Sequence, residues 1–415
     1  MEQKEKIAVV VQRFGKEING GAELHAKLLC DQLKRYYSID VLTTRSIDYQ
    51  IWDNILPEGE TFEDGVLVRR FRSISKNTHY ANKYYRKLSG KRRHHKFLKK
   101  IKLLSIYKKL GLHYISKSDR NNWITHQGPN SPGLISYIIE NERKYKVFIF
   151  FTYLYYPTYF GIQSVKNSIL IPTAHDEPSF YFSGYENVFN KASFIMYNSL
   201  SEKRLVELTY PKTKLINNDI AGVGFDPILN CTKKNEVKQS NTKYLLYIGR
   251  IDVSKGCDVL IDFFEKYKHE SANDIRLIMI GKNFMDIKKD YNNIIFTGFV
   301  SDEDKDIYLK NCEALIIPSF YESLSLVTLE AMQYGKPVIA NGDCEVLKDH
   351  IELSNAGFIY KDYNSFKNSL NKLYNLTESE KRHIAKRGIK YVKENYQWKN
   401  IINKFNKAIK LINQN

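Results

Sequence analysis

At 415 residues the chain is longer than a single hydrophobic core usually organises, so two domains are expected. Apolar residues make up 43% of it, and the longest apolar run, 147–156, is too short to cross a bilayer, so the composition is that of a soluble globular protein. The formal net charge of +18 calls for an anionic partner, whether nucleic acid, an acidic membrane surface or a phosphorylated substrate.

Met1 to Lys6 are largely polar and lead straight into an apolar strand at 7–13 rather than into a signal-peptide core, so the chain is expected in the cytoplasm. A helical pattern covers 21–36 and a second strand 39–43, and this strand, helix, strand order predicts a parallel doubly wound sheet. Asn19, Gly20 and Gly21 precede the helix. Glycine there either lets backbone amides approach a ligand closely or forms a flexible loop before an ordinary helix start. No G-x-G-x-x-G is present, which argues against a dinucleotide-dependent dehydrogenase.

From Asp48 to about Leu134 the periodicity degrades, apart from a strand at 66–71. Thirteen basic residues and no acid lie within 83–117, leaving only +5 for the remainder. Phe97, Ile101 and Leu104 are spaced for one helix face, on which Lys100 and Lys108 intrude, so the segment reads as an imperfect amphipathic helix or a solvated charged face. Regular patterns resume with a helix at 132–141, a strand at 147–151, a tyrosine-rich turn (Tyr153, Tyr155, Tyr156, Tyr159) and a strand at 169–172. That strand runs into His175, at a carboxyl end where doubly wound folds hold ligands, while Asp176 and Glu177 are placed to cap a following helix. A strand at 194–197, a helix from Ser199 and a strand at 214–217 complete the first half.

In A-G-V-G-F-D-P (221–227), Gly222, Val223 and Gly224 bring backbone beside a ligand or form a simple turn, and the polar residues 228–241 read as a linker. A buried strand at 244–248 leads into G-R-I-D-V-S-K-G (249–256) and a helix. Arg250 and Lys255 flank that turn, so both cations can reach a diphosphate over it; ordinary surface charge is the alternative. Strands follow at 275–280, 294–297 and 314–317, which predicts a second doubly wound sheet. Asp302-Glu303-Asp304 spells D-x-D, but it follows Ser301 where a helix begins, so it reads as a capping box with an acidic first turn and no metal is assigned. The five cysteines, Cys30, Cys231, Cys257, Cys312 and Cys344, form no C-x-x-C pair, which argues against a disulfide framework or a zinc site.

The most informative stretch is 316–342, I-I-P-S-F-Y-E-S-L-S-L-V-T-L-E-A-M-Q-Y-G-K-P-V-I-A-N-G. It predicts a strand ending at Pro318, a helix of roughly three turns opening near Ser323 or Ser325, a stop at Gly335 and Pro337, and another strand. Glu322 and Glu330 are separated by seven residues. Leu326, Val327, Leu329, Ala331 and Met332 surround Glu330 with apolar groups, so its carboxylate requires a partner, either a neighbouring Lys or Arg or a ligand diol. Unpaired N–H groups at the helix start suit a phosphate. A short strand at 357–360 and helices at 363–374, 378–394 and 398–412 close the chain.

F-Y-E-S-L-S-L-V-T-L-E-A-M-Q-Y-G-K-P-V-I-A resembles the Glu-x7-Glu signature of the retaining glycosyltransferases of family 4. The resemblance is nearly continuous over the second half and touches the first at the Gly-Gly and His-Asp points. It implies an α/β GT-B fold: two doubly wound Rossmann-like domains facing a cleft, 1–220 for the acceptor and 221–397 for the nucleotide sugar, with 398–415 crossing back to the first. It further implies that Glu330 takes the ribose diol, Glu322 a sugar hydroxyl, and Arg250 with Lys255 the donor diphosphate. Ser325, Leu326, Gly222, Val223, Gly20 and Gly21 would line the donor site, and His175 would lie near the reacting carbon. The donor is a substrate, so no cofactor is expected. D-x-D is the metal motif of a different glycosyltransferase fold. The implied partners are a nucleotide sugar, a saccharide or lipid-linked acceptor and, through 83–117, an anionic membrane surface. A basic nucleic-acid-binding protein and a sugar-nucleotide binder without transfer activity are the competing classes.

Overall fold

The computed structural model describes residues 4–18, 20–89, 115–226, 243–271, 273–285, 287 and 290–414. Asn19, Cys231, the linker 228–241 and the expected helix face of Phe97, Ile101 and Leu104 lie outside the described residues, as does most of 83–117. The chain divides into two compact units, Met1–Val223 with Ile401–Asn415, and Gly224–Asn400.

The first unit is built on β1 (Lys6–Val10), α1 (Gly21–Leu33), β2 (Ser38–Thr44), β3 (Gly59–Glu63), β4 (Val66–Phe71), α2 (Thr78–Leu88), α3 (Lys117–Gln127) and α4 (Pro132–Asn141). It continues with β5 (Phe148–Phe151), α5 (Tyr156–Gly161), β6 (Ser168–Ile171), α6 (Tyr185–Lys191), β7 (Phe194–Tyr197), α7 (Leu200–Thr209) and β8 (Asn218–Ile220). The strands form one sheet in the order β3-β4-β2-β1-β5-β6-β7-β8. Every pairing is parallel except the β3–β4 hairpin at the edge. Ile7 to Val10 and Phe148 to Phe151 are wholly buried, as continuous apolar runs must be when helices cover both faces of a parallel sheet. The expected strand at 214–217 is instead a 3₁₀ turn, Pro211–Leu215, with β8 beginning at Asn218. Pro211 presets the first turn, and Thr213 closes it by hydrogen bonds to the Tyr210 carbonyl from both its N–H and its hydroxyl.

The second unit contains β9 (Tyr244–Ile248), α8 (Cys257–Glu270), β10 (Arg276–Ile280), β11 (Ile294–Gly298), α9 (Asp302–Asn311), β12 (Ala314–Ile317), α10 (Leu326–Gln333) and β13 (Val338–Asn341). It ends with α11 (Glu345–Ser354), β14 (Gly357–Tyr360), α12 (Tyr363–Tyr374) and α13 (Glu378–Asn395). Its sheet is parallel throughout, in the order β11-β10-β9-β12-β13-β14. One core cluster joins Leu245, Tyr247, Phe264, Met279 and Ile316 to Phe366 and Leu370. The last helix, α14 (Trp398–Ile412), buries Ile401, Ile402, Phe405, Ala408, Ile409 and Ile412. From Ile401 onward it belongs to the first unit, where Lys404 pairs with Asp219 at 3.5 Å beside the edge strand β8 and Asn406 accepts from the Tyr37 hydroxyl at 3.0 Å.

Candidate functional site

In an open parallel sheet, ligands bind beyond the carboxyl ends of the strands where the winding reverses. In the second unit β9 lies between β10 and β12, so that point is the pair β9 and β12. The residues just after those two strands are Gly249 to Gly256 and Pro318 to Ser325, the two segments singled out by sequence.

Arg250 follows β9, with Nε 3.6 Å from Asp252 Oδ2 and its carbonyl accepting from the Tyr247 hydroxyl at 2.6 Å. Asp252 caps the short turn Val253–Lys255 by accepting from the Lys255 N–H at 3.0 Å. Gly256 is left-handed (φ 73°), and a Cβ there would lie 2.5 Å from the Pro318 carbonyl oxygen, so the turn after β9 packs directly on the end of β12. Asn341 fixes the same carbonyl from β13, donating through Nδ2 at 3.1 Å. The close approach brings Lys255 Nζ to 2.7 Å from Glu322 Oε1, with both side chains largely covered.

α10 is eight residues long, two turns rather than the expected three, because Ser325 stays outside it in a left-handed conformation (φ 59°, ψ 73°). A left-handed residue followed by a right-handed one turns successive N–H groups towards a common point, which makes an anion-binding nest continuous with the helix start. Glu330 is half-buried, and Lys305 of α9 supplies the partner its apolar surroundings require, at 3.1 Å from Oε1. Burial opposes the charge of Lys305, but Glu330 beside it, together with Asp302 and Asp306, raises the lysine's pKa above its ordinary value. Sequence reasoning missed Lys305. It directly follows the D-x-D residues, where Ser301 caps α9 by accepting from the Asp304 N–H at 3.1 Å and the Asp302 side chain is 95% exposed. Among the described residues no three His, Cys, Asp or Glu side chains are grouped to hold a metal ion, and no helix is long and apolar enough to cross a membrane.

The first unit presents Gly20, Gly21 and His175 at the matching end of its own sheet, where β1 lies between β2 and β5. Gly20 precedes α1, and a Cβ on it would meet the Glu23 carboxylate at 2.2 Å. That carboxylate is buried against Arg13, whose Nη2 lies 2.6 Å from it. A Cβ on Gly21 would meet nothing within 4 Å, so the first residue of α1 faces open space. His25, one turn along, is buried and its pKa drops to about 3 because burial disfavours the imidazolium, against a hydrogen bond to the Gly222 backbone. Gly222 is left-handed (φ 63°) and Val223 is buried; both end the first unit.

His175 lies just beyond β6, with Nδ1 3.4 Å from the Thr173 carbonyl and Nε2 3.5 Å from Glu177 Oε2. Burial works against the charge of Glu177, but the hydrogen bonds and attraction of His175, with hydrogen bonds from Ser179 and Tyr153, hold its pKa below the usual value. Glu177 thus orients the histidine and makes no side-chain cap on the following turn. Thr152 and Thr173, at the ends of β5 and β6, are both left-handed (φ 63° and 51°), an uncommon and costly conformation for a β-branched residue. Their hydroxyls bond at 3.0 Å. Behind them Glu202, wholly buried, accepts the Ala174 and Asn198 N–H groups at 2.5 Å each and ties the loops after β6 and β7 together. Its pKa is pushed up to about 8 by burial, against those backbone donors.

Two doubly wound parallel sheets, with the final helix returning to the first unit, are the GT-B arrangement. Sucrose-phosphate synthase from Thermosynechococcus elongatus shares it, with a TM-score of 0.69 at 14% identity over 99% of both chains. Residues 231–391 match the family model for glycosyl transferases group 1. The chain is 25% identical over 430 residues to an uncharacterized glycosyltransferase of Methanocaldococcus jannaschii, covering 95% of each. It is 26% identical over 186 residues to the lipopolysaccharide 1,2-N-acetylglucosaminetransferase of Salmonella typhimurium, spanning 40% of this chain and 48% of that relative. Fold, family model and relatives together support a GT-B glycosyltransferase.

Proposed function

We propose that the protein is a retaining, metal-independent glycosyltransferase that moves a sugar from a nucleotide diphosphate sugar to an acceptor hydroxyl in polysaccharide, lipopolysaccharide or glycolipid assembly. The observation that carries this reading is the placement of Arg250 and Lys255 after β9 and of the Ser325–Leu326 nest after β12, the two neighbouring strands at the switch point. Two cations and two or more N–H groups there suit a diphosphate and stabilise the charge that grows on it as the glycosidic bond breaks, a task that otherwise falls to a metal ion. Glu330 takes the ribose diol, a role in which its two oxygens accept two hydroxyls while Lys305 holds the carboxylate in place through Oε1. Glu322, salt-bridged to Lys255, takes a sugar hydroxyl and holds the ring against the diphosphate.

In the first unit Gly20 and Gly21 let the start of α1 approach the donor phosphates and the acceptor, Gly222 and Val223 add backbone contacts to the donor, and His175 meets the sugar near the reacting carbon. No side chain is assigned as a covalent nucleophile. The acceptor oxygen attacks from the face the leaving phosphate vacates, and a phosphate oxygen receives its proton. The basic residues of 83–117 carry the charge for a peripheral position on an anionic leaflet, which favours a lipid-linked acceptor.

The test is product stereochemistry from an α-linked donor, read by the anomeric proton's coupling, with and without excess chelator. An α-linked product formed at the same rate in chelator is expected. A β-linked product contradicts retention, and loss of turnover restored by magnesium or manganese contradicts metal independence.

A further inference from the structure

α11 carries a histidine that the substrate-binding reading leaves unused. His350 is 2% exposed, and both ring nitrogens have partners. Nε2 lies 2.7 Å from the Leu324 carbonyl oxygen and is therefore the donor; Nδ1 then accepts from the Tyr391 hydroxyl of α13 at 3.0 Å. The rings of Tyr391 and Tyr396 stand close to edge-on to the imidazole at 5.9 and 6.1 Å. Turning the ring over would cost both buried hydrogen bonds.

The carbonyl it holds belongs to the peptide between Leu324 and Ser325. A trans peptide points its C=O and its N–H in opposite directions. With the Leu324 oxygen directed at His350, the Ser325 N–H points away from α11, and the left-handed turn of Ser325 aligns the next N–H, that of Leu326, beside it. On the other side the Ser325 hydroxyl is tied to Thr328 Oγ1 at 2.9 Å. We infer that His350 is a positioning residue for the anion-binding loop, holding the 324–325 peptide so that the Ser325 and Leu326 N–H groups meet the nucleotide's diphosphate. The inference rests on the diphosphate reading above. It assigns a task to a residue outside the Glu-x7-Glu stretch and on a different helix. Without the imidazole the Leu324 oxygen loses its buried donor, and nothing else among its described contacts opposes reversal of that peptide, which would present a carbonyl to the phosphate.

The experiment is calorimetric titration of the full chain with UDP, GDP and ADP, comparing wild type, Arg250→Ala, His350→Leu, His350→Gln and Tyr391→Phe, with thermal unfolding of each. For whichever diphosphate the wild type binds, His350→Leu is expected to bind roughly tenfold more weakly while remaining folded at the titration temperature. His350→Gln, whose amide can donate to the Leu324 oxygen, recovers affinity to within about threefold of wild type. A folded His350→Leu with wild-type affinity overturns the inference, as does a glutamine variant no better than the leucine one. Should His350→Leu not fold, Tyr391→Phe carries the test, since it removes only the hydroxyl that fixes the tautomer. A loss of roughly two- to fourfold is expected there, and unchanged affinity overturns the proposal. A wild type that binds none of the three diphosphates, with Arg250→Ala indistinguishable from it, refutes the diphosphate reading itself and the inference with it.

Discussion

Glu322 and Glu330 illustrate what a sequence can and cannot say about a site. The apolar surroundings of Glu330 mark it as a carboxylate needing a partner, and that much is visible along the chain. The partners are not, because Lys255 comes from the turn after β9 and Lys305 from α9, and they meet the glutamates only once the sheet is assembled. His350 is hidden for the same reason, since nothing near it in sequence reveals that its imidazole ends at Leu324. The two glutamates should separate experimentally. Removing a charge-assisted contact costs roughly 1.5–3 kcal/mol, or about ten- to a hundredfold in affinity. Glu330→Ala is expected to lose that much affinity for free nucleoside diphosphate, whereas Glu322→Ala, on the sugar side, should slow turnover and leave diphosphate affinity within a few-fold. Calorimetry and steady-state kinetics on both variants check this, and equal diphosphate affinity in wild type and Glu330→Ala would remove the ribose assignment.

Elements were legible where a strand is apolar or alternates with the sheet's burial, or where a helix is cleanly amphipathic. β4, α4, β7, β9, β12, β14, α12 and α14 fall where their patterns place them. α2 and α3 did not announce themselves. α3 reads K-S-D-R-N-N-W-I-T-H-Q, and Trp123 and Ile124 are its only buried apolar residues, too few for a helical period to show; its start is set by a capping box between Ser116 and Asp119. β8 was shifted because Pro211 and Thr213 commit the preceding residues to a tight turn that apolar content alone does not reveal. At the start of α1 the two glycines differ in kind. A side chain on Gly20 would press on the buried Glu23 carboxylate, while Gly21 has no neighbour that excludes one. Gly21→Ala should therefore change unfolding stability by no more than about 0.5 kcal/mol, and in the helix-favouring direction. Turnover should fall all the same, because the methyl occupies space assigned to the ligand. Wild-type turnover in that variant would show that the open space beside Gly21 is only solvent.

For the molecule as a whole, the charge is the property least explained by the two sheets. Thirteen of the basic residues lie in 83–117 without a single acid, and attraction of about 1 kcal/mol per basic residue near an anionic leaflet makes even partial engagement measurable. Co-sedimentation with anionic liposomes is expected, falling with added salt and again when Lys91, Arg92, Arg93, Lys99 and Lys100 become Gln, with little binding to neutral liposomes. Retention by RNA or duplex DNA at low salt, with none by anionic liposomes, would instead favour the nucleic-acid class.

The claim on which these roles depend is that the second unit binds a nucleotide diphosphate sugar and the protein transfers its sugar. Release of nucleoside diphosphate, scored across UDP-, GDP- and ADP-sugars with wild type and with Arg250→Ala, tests it most directly. The account predicts release from one donor class by the wild type and a drop of at least about tenfold in the variant. Release from none of the donors in the presence of saccharide and lipid-linked acceptors, or equal release by Arg250→Ala, would contradict it.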